Sequence, residues 1–308
     1  MSKPKGQIRS LNVNRYLLHR QSLIVDNVED LEHMMQHILS NKVHGLSFSP
    51  YLEGQDPSDK VTISPKQIAD RLEIIRPYTN WVRVFSSTYG NQFVPAIAKE
   101  KGLKTMVGAW LSDDLEQNEI ELANAIEIAR AGHADLLAIG NEVLLRDELE
   151  IDQLIAYIQR VKDAVPGVPV GYVDAYYMYV NHPELVDVCD VLFANLYPFW
   201  EHCALEISID YMSKMYDFVK ANANGKPIVI SETGWPSKGE QYGGAQPSYE
   251  NAMRYFIQAN QWAEAHNVPM FYFSSFDEVW KVNHEGEYGA YWGIWDKDGH
   301  YKYNKNTK

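Results

Sequence analysis

No apolar run in this sequence approaches the roughly 20 residues that cross a bilayer, which argues against a membrane-spanning helix. The start, Met1-Ser2-Lys3-Pro4-Lys5, lacks the apolar stretch of a secretory leader. A chain native from Met1 is therefore expected to be soluble and cytoplasmic; one trimmed of its leader would be exported or membrane-tethered. Cysteine is scarce. The two present, Cys189 and Cys203, flank the apolar segment Val191 to Tyr197, which as a strand holds its ends about 20 Å apart at ~3.3 Å per residue. They are expected to stay reduced and to pack as small apolar side chains. Clusters of Lys and Arg are missing too, and the net charge is −13. A polyphosphate would be repelled over most of the surface, so nucleic acid is excluded as a partner, whereas a neutral polysaccharide is not. Neither GxGxxG nor GxxxxGK[ST] occurs, which argues against nucleotide-dependent chemistry. No repeat, low-complexity tract or Gly/Ser/Pro linker divides the chain, so a single domain over 1–308 is expected, acting as a monomer.

What is present is a regular alternation. The chain has 308 residues, 45% of them hydrophobic and 22% charged, enough to bury a large core. Eight short apolar runs rich in β-branched residues stand at Val43 to Ser49, Trp81 to Ser86, Leu103 to Trp110, Leu136 to Glu142, Val168 to Asp174, Val191 to Tyr197, Pro227 to Glu232 and Val268 to Phe276. Segments of helical period separate them: Ile68, Leu72 and Ile75 share one face, as do Leu122, Ala125, Ile126 and Ala129, then Leu154, Ile158 and Val161, and later Ala252, Tyr255, Phe256, Ala259, Trp262 and Ala263. Parallel strands joined by crossover helices are the reading, and eight of them close into an α/β (β/α)8 TIM barrel. Beyond Phe276 no last helix is evident. Tyr291 to Trp295, Asp296 to Gly299 and Tyr301 to Tyr303 read as a hairpin with a polar turn. A helix over Val28 to Asn41, with Asn27 as N-cap, is expected to cover the gap between the eighth and first strands.

Barrel enzymes place their reacting groups at the C-terminal ends of strands. Two ends stand out: the fourth run closes Gly140-Asn141-Glu142 and the seventh Ser231-Glu232-Thr233-Gly234-Trp235-Pro236. With Asp and Glu totalling 41, one glutamate after a strand is more often a surface charge or helix neighbour. A pair on strands four and seven is different, because these lie nearly across the barrel mouth and can converge over a substrate. Retaining glycosidases need two carboxyls about 5–5.5 Å apart, one protonated to release the leaving oxygen and one ionised to attack the anomeric carbon.

These motifs, with Asn-Leu-Tyr-Pro-Phe at 195–199, Phe-Asp-Glu-Val-Trp-Lys at 276–281 and the Tyr-Trp-Gly-Ile-Trp segment at 291–295, resemble glycoside hydrolase family 17 from about Val43 to Tyr303. The resemblance implies a retaining hydrolase acting on β-1,3-glucan or laminari-oligosaccharides. In it Glu142 is acid/base, Glu232 nucleophile, Asn141 a donor near the sugar 2-hydroxyl and Tyr197 a partner orienting the nucleophile. Glu278 and Lys281 look like the family's pair that holds the −1 sugar; the alternative is a structural ion pair. The pKa of Glu142 is expected to be raised by the Glu232 anion.

Tyr51, Trp110, Tyr176, Tyr177, Phe199, Trp200, Trp235, Trp280 and Trp292 offer faces for sugar rings. About half are expected to meet ligand, Trp235 and Tyr51 before the rest, the latter with its neighbour Gln55. His33 and His37 have metal-ligand spacing, but a solvated helix face is preferred; neither a metal nor a cofactor is expected. The same residues also serve glycosyl transfer to another glucan hydroxyl, which is the close alternative. A non-catalytic carbohydrate-binding barrel usually loses the carboxylate pair, and a metal-dependent barrel hydrolase needs a His/Asp cluster at strand ends.

Overall fold

The structure, a computed structural model, describes residues 7–16, 18 and 27–304; the leader reading over Met1 to Lys5 lies outside them. Eight parallel strands follow one another around a closed barrel: β1 (Val43–Ser47), β2 (Thr79–Val84), β3 (Lys104–Ala109), β4 (Leu136–Asn141), β5 (Val170–Ala175), β6 (Leu192–Asn195), β7 (Ile228–Thr233) and β8 (Met270–Tyr272). The ring closes where Gly45 and Leu46 of β1 pair with Phe271 and Tyr272 of β8. All eight expected strands are there.

Around them run α1 (Val28–Ser40), α2 (Pro65–Ile75), α3 (Val94–Glu100), α4 (Leu115–Arg130), α5 (Ile151–Ala164), the short α6 (Met178–Asn181) and α7 (Pro183–Val188), α8 (Leu205–Asn222), α9 (Tyr249–His266) and the short α10 (Val282–Glu285). The apolar stripes read from the sequence face the sheet: Ile68, Leu72, Ile75, Leu154, Ile158 and Val161 are all fully buried. Asn27 caps α1, its side chain accepting from the Asp30 N–H at 2.8 Å. The helix packs against α9, filling the place beside β8 that a helix after β8 would take.

Two expectations need correcting. The eighth run does not stay in the ladder to Phe276. Past Tyr272 the regular ladder breaks up: Phe273 N–H still donates to Thr233 O at 2.8 Å and Ser275 N–H to Ser47 O at 3.0 Å, while Ser274 N–H donates to Trp292 O at 3.1 Å and Trp295 N–H to Ser275 O at 2.9 Å. The hairpin is correspondingly short. Its turn is Asp296 to His300, with one antiparallel bridge between Trp295 and Tyr301, while Tyr291 ends a 3-10 helix, Glu287–Tyr291. Cys189 and Cys203 are unpaired and buried, as expected.

The period of two along each strand decides what enters the lumen. Met106, Ala138, Val173, Phe193, Val229 and Phe271 form a cluster separate from the outer core, with Trp81 packed on it. Two residues beyond Trp81 is Arg83, and two beyond Phe193 is Asn195, so both point inward one layer nearer the mouth. On β4 and β7 simple alternation fails. The register shifts between Ala138 and Asn141 against β5, and again on β7, where Ala194 opposes Ile230 but Asn195 opposes Glu232. Each bulge inserts one residue and turns a side chain over.

Candidate active site

The β4 bulge is built on Gly140, whose φ is 87°. A Cβ there would sit 3.1 Å from the Tyr172 ring, and the left-handed backbone favours glycine in any case. The turn brings Asn141 opposite Val173 and leaves Glu142 at a φ of 52°, uncommon for a residue with a side chain. It is held by its own N–H, which donates to Val173 O at 2.8 Å. On the far side, the β7 shift aligns Glu232 with Asn195. The two glutamates thus meet in a cavity of about 920 Å³ over the C-terminal strand ends.

One amide joins them. Asn195 Nδ2 donates to Glu142 Oε1 at 2.8 Å and to Glu232 Oε1 at 3.3 Å. The two oxygens are therefore no further apart than those two bonds laid end to end, which suits a retaining pair. The amide cannot flip, because its own oxygen accepts from Ser231 Oγ at 2.7 Å. Glu232, buried, also takes Arg83 Nη1 at 2.6 Å and Tyr197 OH at 2.8 Å. The other Arg83 nitrogen donates to Asn141 Oδ1 at 2.7 Å, so one guanidinium fixes a side chain on each of the two strands.

The environments of the pair differ. Burial first, then the Glu232 charge, raises the Glu142 pKa to about 7, against the Asn195 bond and the charges of Arg146 and Arg83. Glu142 is set up to carry a proton, while Glu232 has an arginine and two neutral donors. Burial and then the Glu232 charge also push the Tyr197 hydroxyl well above its ordinary range, so it stays a donor.

Beside Glu232, Lys281 Nζ pairs with Glu278 Oε2 at 2.9 Å, both buried. Burial opposes the Lys281 charge, but Glu278, Glu285 and Glu232 outweigh it and hold its pKa above the usual value. Trp280 donates its indole N–H to Glu278 Oε1 at 3.2 Å. Tyr51 lines the cavity and accepts from Asn91 Nδ2 at 2.9 Å. Trp110 is 38% exposed at the rim, one face covered by the Arg146 guanidinium 4.6 Å from its ring centre.

Two residues chosen from the sequence lie elsewhere. Trp235 is 1% exposed, packed on Phe199 and Tyr255 with its N–H on Gln246 O at 3.0 Å. Glycine at 234 and proline at 236 hold the chain where it turns away from the mouth, so Trp235 belongs to the core beneath α9. Gln55 Oε1 accepts from Leu52 N–H at 2.9 Å and from Gln67 Nε2 at 2.7 Å; it closes the loop after β1 and does not line the cavity. Of the other aromatics, Phe199 is also core, whereas Tyr176, Tyr177, Trp200 and Trp292 line the cavity with Trp280. His33 and His37 lie on the exposed face of α1.

Four residues were missed. Arg83 was a charge inside an apolar run, which is itself a signal. Asn195 stood within a quoted motif. Asp174 ends the fifth run as Glu142 ends the fourth; it is fully buried, accepts from the Tyr172 hydroxyl and from Ala175 N–H, and burial followed by the Glu142 charge raises its pKa to about 8. Glu285 follows Lys281 by four residues and lines the same cavity.

Comparison with known proteins gives the family. Residues 45–293 match the BtgE/BtgC glycoside hydrolase domain. A glucan 1,3-beta-glucosidase, BGL2, from Candida albicans is 25% identical over 268 residues, 77% of this chain and 85% of the relative. A glucan 1,3-beta-glucosidase from Schizosaccharomyces pombe is 26% identical over 280 residues, 85% and 86% of the two chains. A crystal structure of the family 17 beta-1,3-glucanosyltransferase from Rhizomucor miehei superposes with a TM-score of 0.76 at 28% identity, over 85% of this chain and 96% of that one. This chain belongs to glycoside hydrolase family 17, in the branch described by the BtgE/BtgC domain.

Proposed function

We propose that this protein cleaves β-1,3-glucosidic bonds of laminarin-type glucan or its oligosaccharides with retention, as a single-domain monomer. Glu142 is the acid/base and Glu232 the nucleophile. The observation that carries this is the Asn195 amide shared by one raised, proton-bearing carboxyl and one arginine-paired carboxylate. A carboxyl that holds a proton and, at that spacing, a carboxylate paired with an arginine are the requirement of double displacement.

In the first step the Glu232 oxygen attacks the anomeric carbon while Glu142 gives its proton to the departing glucosidic oxygen. Arg83 and Tyr197 fix the attacking oxygens, and Asn141, held by Arg83, offers its amide N–H groups to the sugar. The glucosyl ester that forms no longer carries the Glu232 charge, so the Glu142 pKa falls; its carboxylate takes the proton of an incoming hydroxyl, whose oxygen bonds to the anomeric carbon as the ester bond breaks and the Glu232 carboxylate is released. That hydroxyl belongs to water in hydrolysis and to another glucan in transfer. The 28% identical glucanosyltransferase favours keeping transfer as the second reading.

Incubation with laminari-oligosaccharides followed by product sizing tests both. Shorter products alone mean hydrolysis, and products longer than the substrate mean transfer. No change in any β-1,3-linked substrate would overturn the proposal.

A further inference from the structure

Residues 7–12 precede the stretch shared with the family domain, which begins at residue 45, yet they are tied to the mouth of the barrel. Asn181, at the end of α6, takes Ile8 from both sides: its Oδ1 accepts from Ile8 N–H at 2.9 Å and its Nδ2 donates to Ile8 O. Ser10 Oγ donates to Glu201 on the loop after β6, and Leu11 N–H donates to the Tyr176 hydroxyl on the loop after β5 at 2.8 Å. The Leu11 side chain is buried. Glu201 is itself held by the Tyr211 hydroxyl of α8. These ties anchor a run of irregular chain, bent at Arg9, to three separate places. Between them Arg9, exposed, lines the cavity together with Tyr177, Trp200 and Glu201.

We propose that this strap builds a glucosyl-binding subsite at the β5–β6 end of the cleft, with Arg9 as a specificity-determining residue that selects for longer chains. The inference rests on the glucan reading above. The chemistry matches an outlying sugar unit: a guanidinium fork donates to neighbouring hydroxyls, the rings of Tyr177 and Trp200 offer apolar faces for C–H groups, and Glu201 accepts hydroxyl hydrogens. The carboxylate pair stands on β4 and β7, whereas the strap rides on loops after β5 and β6, so a sugar bound there lies out along the chain from the bond that breaks. Its binding energy is felt only by substrates long enough to reach it.

The test compares wild type, Arg9→Ala and Asn181→Ala on laminari-oligosaccharides of increasing length, with melting curves alongside. Arg9→Ala is exposed and leaves the fold intact; Asn181→Ala releases the strap without touching the cavity. Both are expected to raise KM for the longest substrates about tenfold, the loss of one or two hydrogen bonds, with kcat kept and the shortest substrate cleaved changed less than about twofold. Length dependence identical to wild type in both variants overturns the subsite, as does an equal loss at every length. Wild type that turns over no laminari-oligosaccharide overturns the glucan reading itself, and the subsite with it.

Discussion

Replacing Glu232 by Gln removes one negative charge and hardly changes the volume, so its effect on Glu142 isolates the coupling between the two carboxyls. At a separation of about 5.5 Å and an effective dielectric of about 20, the repulsion is about 3 kcal/mol, or about 2 pKa units. Burial remains, and it is the larger cause of the Glu142 shift to about 7. The Arg83 charge also remains, now without its partner 2.6 Å away, and it favours the Glu142 anion. The expected result is a Glu142 pKa near 5 in the variant, read by 13C NMR of carboxyl-labelled glutamate and assigned with Glu142→Gln. In the wild type the sign is fixed by the same chemistry. As the proposed acid, Glu142 must carry its proton in the first step, so kcat/KM is lost as pH rises through about 7. A Glu142 titration that stays at about 7 in Glu232→Gln would show that the charges are not coupled, and the double-displacement roles would fall with it.

Three further outcomes follow from the geometry. Arg83→Lys keeps the charge but cannot reach Glu232 and Asn141 together; kcat should fall about 100-fold with KM little changed, as misplacement of a reacting group does. Gly140→Ala demands an L-residue at φ 87° against the Tyr172 ring, so stability should drop by about 1–2 kcal/mol in chemical denaturation, with activity lost further because Glu142 is aimed by that turn. The two tryptophans should separate cleanly. Trp235→Ala should cost about 3–5 kcal/mol of stability as a core truncation, whereas Trp110→Ala should leave melting unchanged and raise KM for glucan about tenfold, or about 1.4 kcal/mol; the reverse pattern would place Trp235 at the substrate.

The barrel was legible because its signals are long and redundant. Each strand is buried on both faces, so β-branched runs such as Ile228 to Ile230 stand out against helices with one apolar stripe. The place of α1 followed from counting, since eight strands with no long helical period after the last leave one gap. The end of β8 was not legible. Nothing in Phe273 to Phe276 marks where the ladder with β7 and β1 gives way to pairing with residues 292–295, because the same apolar residues serve both partners. The hairpin failed too: Tyr291 and Trp292 have strand composition, but Gly286 and Gly289 let the stretch up to Tyr291 coil into 3-10 turns.

The site divides along a similar line. Strand-end carboxyls picked out Glu142 and Glu232, yet the same rule applied evenly also picks out Asp174, which the structure buries against the Tyr172 hydroxyl. What separates the three is the register. Bulges on β4 and β7 turn Asn141 and Glu232 into the lumen, and a one-residue shift inverts every inward or outward assignment beyond it. Gly140 is the only local mark of the first bulge, and β7 shows none. Arg83 and Asn195 lie on strands whose alternation stays regular through them, two residues past Trp81 and Phe193. They were therefore the most predictable inward polar residues in the chain, and they are the two that tie the glutamates together. A buried arginine two positions from a lumen aromatic has no reason to stand there unless an anion faces it. The partner it requires, Glu232, is thus implied by β2 as well as by β7.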